Sequence, residues 1–291
     1  MAGKTAEKEK KVGITYWSKD KMICPICKKL FAREIMRSGN GRMIAGGLTP
    51  ELHRIYEPSA KYGRIYPLIY EIGACPHCYT AFFWNDFNAK LTAEDNDRLF
   101  SHSKQRKEAC EKIFPYFNLK KERTLFDGCA MYYLALMTYN DVNTELIPTL
   151  KNAIISLRLA WLTNELHHRC ADHNYDLVSK MFYSKALFFY QQAVVNETER
   201  KEKSSSLNNM GPDIDKNYGW DGVIYLCGLL EYKYGQQDDI QLRLKKLNES
   251  KTAIARIFGL GKSSKSKPGP LLEHARELYD NLSKLVKDDE F

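Results

Sequence analysis

The chain has 291 residues, of which 44% are hydrophobic and 12% aromatic, a composition typical of a globular protein and not of a disordered one. It contains no run of 18 apolar residues, so we expect no transmembrane helix, and its charged N-terminus lacks the apolar core of a signal peptide. We therefore expect a cytoplasmic protein with a net charge of +8, whose eight cysteines meet a reducing environment.

Two Cys-Pro-x-Cys pairs follow a tail at residues 1–13 that we expect to be flexible and basic. Four thiolates arranged as two tight pairs are the ligand set of a tetrahedral structural zinc ion. We predict that one Zn²⁺ is bound by Cys24, Cys27, Cys75 and Cys78. Such a site is closed, with no position left for a substrate. The other cysteines, Cys110, Cys129, Cys170 and Cys227, are scattered along the chain.

Residues 14–90 combine these pairs with β-rich runs and glycine turns. The sequence predicts a short strand over Leu30–Ile35 and another over Arg64–Ile72 that leads into the second pair. Pro67 would confine the second strand to a sheet edge or a bulge. We interpret residues 14–90 as a zinc-ribbon-like domain with a long insertion, whose folding depends on its metal because its own core is small.

From Leu91 onward the hydrophobic period becomes helical. Seven helices are predicted, approximately at 92–114, 124–138, 145–167, 175–201, 218–234, 238–258 and 270–287. Polar segments at 202–216 and 261–269 are expected to be mobile loops. The predicted fold class is therefore α+β, with an all-α domain at 91–291 following the zinc-ribbon-like domain.

A degenerate repeat signal lies within the helical part. Ala186, Tyr190 and Ala193 match the second helix of a tetratricopeptide repeat, and Gly228 and Gly235 match the first helix and its turn. Ile240 breaks the pattern, because a small residue is expected there. We predict an array of tetratricopeptide-like helical hairpins, with an unrelated helical bundle as the alternative.

The order of these motifs resembles a known bacterial family. The motifs are Tyr66–Glu71, Cys75–Cys78 and the aromatic stretch with Phe82, Asp86 and Phe87. Over about residues 14 to 250 the chain is similar to the family catalogued as domain of unknown function 2225, whose members join this zinc-binding unit to a repeat-like helical region. The resemblance implies the same two-part fold and leaves the activity open.

The chain departs from the usual pattern immediately after each cysteine pair. Glycine is common there, but Lys28 and Tyr79 occupy these positions. Glycine eases the turn that aims backbone N–H groups at the sulfurs. The four ligands themselves are retained.

The second cysteine pair also has a redox interpretation. Cys75-Pro76-His77-Cys78 is the active-site tetrad of strongly oxidising thioredoxin-fold proteins, in which a helix N-terminus lowers the pKa of the first thiol. A matching second pair is present, however, and the surrounding βαβ framework is missing. We favour structural zinc, keep a thiol oxidoreductase at Cys75 and Cys78 as an alternative, and expect His77 to point outward.

A second cluster consists of His167, His168, Cys170 and His173. It is interpreted as the polar end of a helix, where histidine suits the negative end of the helix dipole. A second metal site is the alternative. The His-Glu-x-x-His spacing of zinc proteases is absent from the sequence.

The sequence also lacks phosphate-binding loops, dinucleotide fingerprints and nucleophile elbows. We therefore predict a non-enzymatic scaffold or adaptor that binds an unknown protein partner through its helical domain. Nucleic-acid binding is the alternative, because residues 243–267 carry eight Lys or Arg residues against one acidic residue. In that case Tyr16, Trp17, Tyr79 or Trp84 would stack on bases.

Overall fold

β-hairpins occupy the N-terminal part of the chain and helices occupy the rest, which confirms the predicted α+β class. The computed structural model describes residues 13–258 and 267–288. The predicted tail therefore lies outside the described residues except for its last position, and so does most of the predicted 261–269 loop. The division into domains at residue 90 stays a prediction.

Eight short strands form four separate antiparallel pairs: β1 with β4, β2 with β3, β5 with β6, and β7 with β8. Their bounds are Thr15–Trp17 (β1), Met22–Ile23 (β2), Leu30–Phe31 (β3), Glu34–Met36 (β4), Ile44–Leu48 (β5), Arg54–Glu57 (β6), Ile72–Ala74 (β7) and Ala81–Phe83 (β8). The single strand predicted over Leu30–Ile35 is thus wrong in extent, because the chain divides it into β3 and β4, which pair with different partners.

The strand predicted over Arg64–Ile72 is also wrong. Pro67–Tyr70 form a 3₁₀ helix, and only the short strand β7 follows it. Proline suits the first position of a helical turn, because its fixed φ is already helical and its missing N–H would be unpaired there. The turn packs against α3: the hydroxyl of Tyr132 donates to the carbonyl of Leu68 at 2.8 Å, and Ile69 lies against Gly128.

Eight α-helices follow within the described residues. They are Ala93–Ser101 (α1), Ser103–Ile113 (α2), Leu125–Tyr139 (α3), Pro148–Arg169 (α4), Tyr175–Thr198 (α5), Gly219–Tyr234 (α6), Ile240–Phe258 (α7) and Gly269–Asp288 (α8). Across this part of the chain, no helix combines the length and the apolar character needed to cross a bilayer.

The helix predicted over 92–114 begins where the sequence indicates but is divided into α1 and α2. Its start is a capping box in which Thr92 and Asp95 bond reciprocally. The division falls at His102, which is flanked by Ser101 and Ser103. Both serine hydroxyls donate to backbone carbonyls of the preceding turn, a competition that weakens helix continuity.

α4 is the central helix of the fold. Residues 150–163 are buried throughout, so it lacks the polar face of a surface helix. α5 packs antiparallel to it: Ser179 donates to the Ala160 carbonyl at 2.8 Å, and Asn196 donates to Thr149 at 3.1 Å near the other end. The two helices form the first of the predicted hairpins.

The small residues of the repeat signal lie where helices approach each other. Ala186, Tyr190 and Ala193 are fully buried on α5. A side chain at Gly228 would meet Ile254 of α7 at 3.1 Å, so this glycine permits close packing of α6 and α7. Helical hairpins are therefore present, while their assignment to tetratricopeptide-like repeats stays a prediction.

The second cysteine hairpin packs directly on α3. The backbone N–H of Ala81 donates to Thr138 and that of Phe83 donates to Tyr139, each at 3.1 Å. The rings of Phe82 and Tyr139 meet edge to face, 5.3 Å apart. Hairpin and helices therefore share one continuous core.

The turn between β5 and β6 reaches three helices through one carboxylate. Glu51 accepts hydrogen bonds from Trp161 of α4 at 2.6 Å and from Tyr183 of α5 at 2.9 Å, and it pairs with Lys233 of α6 at 2.8 Å. The insertion between the cysteine pairs thus contacts the helical part well beyond its first helices.

The segment 202–216 is a connection, as predicted, but it is packed against the fold instead of being solvated throughout. Glu202, Ser204 and Asp213 are buried. Arg158 donates to the carbonyl of Pro212 at 2.7 Å. The Ser- and Asn-rich composition did not indicate this burial, because the contacts come from distant parts of the chain.

Candidate metal centre

The two cysteine pairs occupy equivalent turns. Cys24 and Cys27 lie between β2 and β3, and Cys75 and Cys78 lie between β7 and β8. In each turn the N–H of the first cysteine donates to the carbonyl five residues later, at 3.0 and 2.9 Å. The residue after the second cysteine donates back to the carbonyl of the first, again at 3.0 and 2.9 Å. The two turns are therefore built on the same hydrogen-bond pattern.

The residues that replace glycine still adopt a glycine-like conformation. Lys28 and Tyr79 each have a φ of 59°, in the left-handed region that L-residues rarely enter. Tyr79 is compensated by contacts of its ring with Phe117 and with the ammonium of Lys107. Lys28 is exposed, and its ammonium donates to the carbonyl of Pro25.

The four sulfurs converge on a common centre. The Sγ atoms of Cys24 and Cys78 lie 3.5 Å apart, those of Cys27 and Cys75 lie 3.6 Å apart, and all four fall within 4.8 Å of one another. A disulfide would require about 2.05 Å. Four ligands at the usual Zn–S length of about 2.3 Å would place their sulfurs about 3.8 Å apart. The quartet fits a tetrahedral metal ion and not a pair of disulfides.

Burial and mutual contact shape the acidity of the quartet. Cys24 and Cys75 are fully buried and Cys78 is nearly so, while Cys27 is partly exposed. Hydrogen bonds from the thiols of Cys24 and Cys75 lower the pKa of Cys78 to about 2. Hydrogen bonds of Cys75 with Cys24 and with Cys78, followed by burial, raise the pKa of Cys75. Without a metal, the quartet therefore favours a thiolate at Cys78 beside protonated thiols. A bound cation is needed to keep all four sulfurs deprotonated.

A buried arginine supports the second cysteine turn. Arg106 of α2 donates to the carbonyl of Cys78 and to the hydroxyl of Thr80, both at 3.2 Å, and its guanidinium lies 3.5 Å from Asp141. Its positive charge lies close to sulfurs that would carry a net negative charge around a divalent ion. Sequence reasoning missed this residue, because a bond to a backbone carbonyl leaves no motif.

A second buried pair joins β4 to the second cysteine hairpin. Glu34 of β4 lies 3.5 Å from Arg123, whose guanidinium also donates to the carbonyls of Ile69 and Ile72. Burial lowers the pKa of Arg123 to about 10. These contacts hold β4 and the second cysteine hairpin against the start of α3. The ring of Phe31, in the first cysteine hairpin, packs on Trp84 and Phe87, so the relative position of the two ligand pairs is fixed by more than the metal.

The histidines do not contribute to a metal site. Within residues 13–258 and 267–288, the cysteine quartet is the one group whose ligand atoms converge. His167 and His168 lie in the last turn of α4, as the helix-end interpretation predicts. Cys170 and His173 are exposed on the turn that follows, and so is His77 between its two cysteines.

Part of the basic 243–267 region is used inside the molecule. Arg243 pairs with Glu231 at 3.1 Å and donates to two carbonyls at the end of α6. Lys267 pairs with Asp221 at 2.9 Å. Among the aromatic residues considered for base stacking, Tyr16 and Trp17 are exposed, but the expectation for Trp84 is wrong because its ring is buried.

Comparison with known proteins agrees with the order of motifs. The family model described as "Uncharacterized protein conserved in bacteria (DUF2225)" matches residues 17–282. An uncharacterized protein of Borreliella burgdorferi is 39% identical over 276 residues, which cover 94% of this chain and 98% of that protein. No solved structure matches the chain. The chain therefore belongs to the DUF2225 family of bacterial proteins.

Proposed function

We propose that this protein is a non-enzymatic, zinc-containing scaffold that binds a protein partner through an apolar face of α5. One observation carries the proposal: Leu177, Met181, Phe188 and Val195 are 58%, 39%, 57% and 43% exposed. Their spacings of four, seven and seven residues place them on one side of the helix. We call these four residues the α5 stripe. The opposite side of α5 is buried against α4, so the helix is apolar on two faces. A helix whose outer face only contacts water normally has polar residues there.

The spacing and the flanking charges indicate the chemistry of the partner. A seam with a seven-residue period is the surface on which another helix packs. Lys180 and Lys185 are exposed beside the stripe, and Lys180 is held by Asp176 at 3.7 Å. We therefore propose an amphipathic partner helix with an apolar seam and acidic flanks.

The metal has a structural role in this proposal. Four cysteines complete a tetrahedral shell around zinc, so no position remains for water or substrate. The shell would join the first cysteine hairpin to the second, which packs on α3, and thereby support the helical part. The donor set and the sulfur spacing favour zinc among the common divalent ions.

The test compares matched exposed phenylalanines. Tagged protein is captured from the native cell as wild type, as Phe188→Asp, and as Phe100→Asp, which alters a phenylalanine of similar exposure on α1. We expect one partner to be retained by the wild type and the Phe100 variant and lost from the Phe188 variant. A partner retained equally by all three proteins contradicts the α5 stripe, even if zinc is present.

Metal content tests the other half of the proposal. Purified wild type should contain one zinc per chain, as should the variant Cys170→Ser, whereas Cys27→Ser should lose the metal. Native, metal-loaded protein should also resist alkylation at Cys75, because this sulfur is buried and would be bound to the metal. Rapid alkylation of Cys75 in metal-loaded protein would support the thiol oxidoreductase alternative instead.

Nucleic-acid binding stays the second alternative. It predicts an affinity that falls steeply with salt and weakens when Lys245, Lys246 and Lys251 are neutralised. The ion pairs of Arg243 and Lys267 reduce the number of cations that are free for phosphates, so the observations favour the scaffold.

A further inference from the structure

A cleft of about 1,000 Å³, including its open mouth, lies between the second cysteine hairpin, α4 and the segment that precedes α6. Lys151, Ile154 and Arg158 line it from one face of α4, since spacings of three and four residues bring side chains to the same side of a helix. Trp84, Asn85 and Asp86 of the 3₁₀ helix Trp84–Asn88, with residues 207–209 and Gly211, form the other walls.

Arg158 in this cleft is buried without an ion-pair partner among the described residues. It is 3% exposed, and its guanidinium donates to the carbonyl of Pro212 and, at 3.3 Å, to the hydroxyl of Tyr132. A buried charge is ordinarily paired, because desolvation is costly. Arg106 and Arg123 follow that rule, since each guanidinium lies 3.5 Å from a carboxylate.

Burial lowers the pKa of Arg158, but Tyr132 and the charges of Glu71 and Asp213 raise it above its ordinary value, although neither carboxylate forms an ion pair with it among the described residues. Asp86 is bound by Lys151 at 2.6 Å and by the hydroxyl of Tyr139. Glu71 lines the cleft but forms no ion pair with Arg158 within the described part of the chain. Arg33 adds another cation and stacks on Trp84, 4.5 Å from its ring centre. The cleft thus holds three cations against two carboxylates.

We propose that this cleft binds a small phosphate-bearing molecule, with the phosphate on Arg158. The Nε and one Nη atom of Arg158 each donate one hydrogen bond to the protein, which leaves the N–H groups of the other Nη atom to donate to an anion in the cleft. A tetrahedral phosphate accepts single bonds from separate donors, which are Arg158, Lys151 and the amide of Asn85. The walls formed by Phe83 and Ile154 suit an apolar or planar remainder of the ligand.

Thermal unfolding of the metal-loaded protein in inorganic phosphate tests this site, with ionic strength held constant by KCl. About 20 mM phosphate should raise the Tm of the wild type by about 2–4 °C. Asn85→Asp adds a negative charge at the cleft and should abolish the rise. Asn88→Asp makes the same change at an exposed residue of the same 3₁₀ helix that does not line the cleft, and it should keep the rise.

Arg158→Met separates ligand binding from a structural role. If Arg158 binds phosphate, the variant loses the phosphate-dependent rise; its Tm without phosphate should be lower, because the carbonyl of Pro212 and the hydroxyl of Tyr132 lose their donor, so the rise is measured from the variant's own Tm without phosphate. A wild type whose Tm does not respond to phosphate contradicts the proposal, and so does an equal rise in Arg158→Met. If Arg158→Met does not fold, Asn85→Asp and Asn88→Asp provide the test. An equal phosphate-dependent rise in the Tm of these two variants contradicts the proposal.

Discussion

Lys28 and Tyr79 share one backbone conformation, a φ of 59°, at the equivalent position of the two cysteine turns. The left-handed conformation costs an L-residue about 1–2 kcal/mol relative to glycine. Glycine, the residue that adopts this conformation most easily, is absent at both positions, while the left-handed turn is preserved. The two side chains differ in what they contact, so the two positions should respond differently to glycine.

Lys28→Gly should raise the free energy of unfolding by about 1 kcal/mol, because an exposed side chain is removed and backbone strain is relieved. Tyr79→Gly should lower it, because the ring contacts with Phe117 and Lys107 are lost. Urea denaturation of zinc-loaded protein measures both. Lys29→Gly is the control: this neighbour is exposed but has no positive φ, so glycine there should destabilise the protein.

Arg106→Met should make the metal easier to remove. The guanidinium supports the carbonyl of Cys78, and loss of an outer partner of a metal ligand typically costs about 10–100-fold in metal affinity. Competition with a chromogenic chelator measures this affinity. Lys104→Met removes a cation from the same helix whose side chain is 85% exposed, and it should leave the affinity unchanged. Equal affinities for the two variants would refute the role given to Arg106.

Asp213 should stabilise the fold only in its ionised state. Burial alone would raise the pKa of this carboxyl, but the hydrogen bond and charge of His53, at 2.5 Å, together with two backbone N–H groups, hold it below its ordinary value. A carboxyl whose pKa is lower in the folded state contributes stability above its unfolded pKa of about 3.9, and that contribution is lost as the pH falls through the folded value.

Asp213→Asn should therefore lower the free energy of unfolding by about 2 kcal/mol at pH 7. The difference from the wild type should shrink as the pH falls below about 4. Urea denaturation at a series of pH values measures this difference. Acid also releases the metal, but it does so from both proteins, so this effect cancels when the two free energies are subtracted. Asp215→Asn, at an ion pair with Arg54 nearer the surface, should have a smaller effect. If the difference in free energy of unfolding between the wild type and Asp213→Asn stays constant with pH, the charge of Asp213 does not stabilise the fold.

Gly128→Ala should destabilise the protein even though alanine is the better helix former. A methyl group there would lie 2.5 Å from the side chain of Ile69, so α3 would have to move away from the 3₁₀ helix. We expect a loss of about 2 kcal/mol, since overpacking outweighs a propensity gain of about 1 kcal/mol. Gly228→Ala is the comparison, because its methyl would meet flexible ends of Ile254 at 3.1 Å. Thermal unfolding should show the smaller change there.

Local signals explain most of what the sequence could predict. The spacing of the cysteines indicated the quartet, and Thr92 and Thr124 marked the starts of α1 and α3, because capping depends on residues three positions apart. The 3₁₀ helix at Pro67–Tyr70 was missed because its apolar run is equally typical of a strand. Only the distant contact with α3 decides between the two.

The supporting residues were missed for the same reason. Arg106 and Arg158 bind backbone carbonyls 28 and 54 positions away, and such contacts follow no spacing rule. The α5 stripe lies on a helix with a second apolar face, so the spacing of its apolar residues did not show which of them would be left exposed. Burial is a property of the assembled helices and not of one helix alone.

The contacts of Glu51 determine when during synthesis the chain can complete its folding. Its partners lie 110, 132 and 182 residues further along the chain, on three successive helices. A ribosome therefore releases both cysteine pairs long before the last of these partners exists. During synthesis the metal would be bound by the two cysteine hairpins before the helices that contact Glu51 exist. Folding could not be completed before α6 emerges. Early zinc capture would then protect reactive thiols over the slowest stage of maturation, when non-local contacts are still forming.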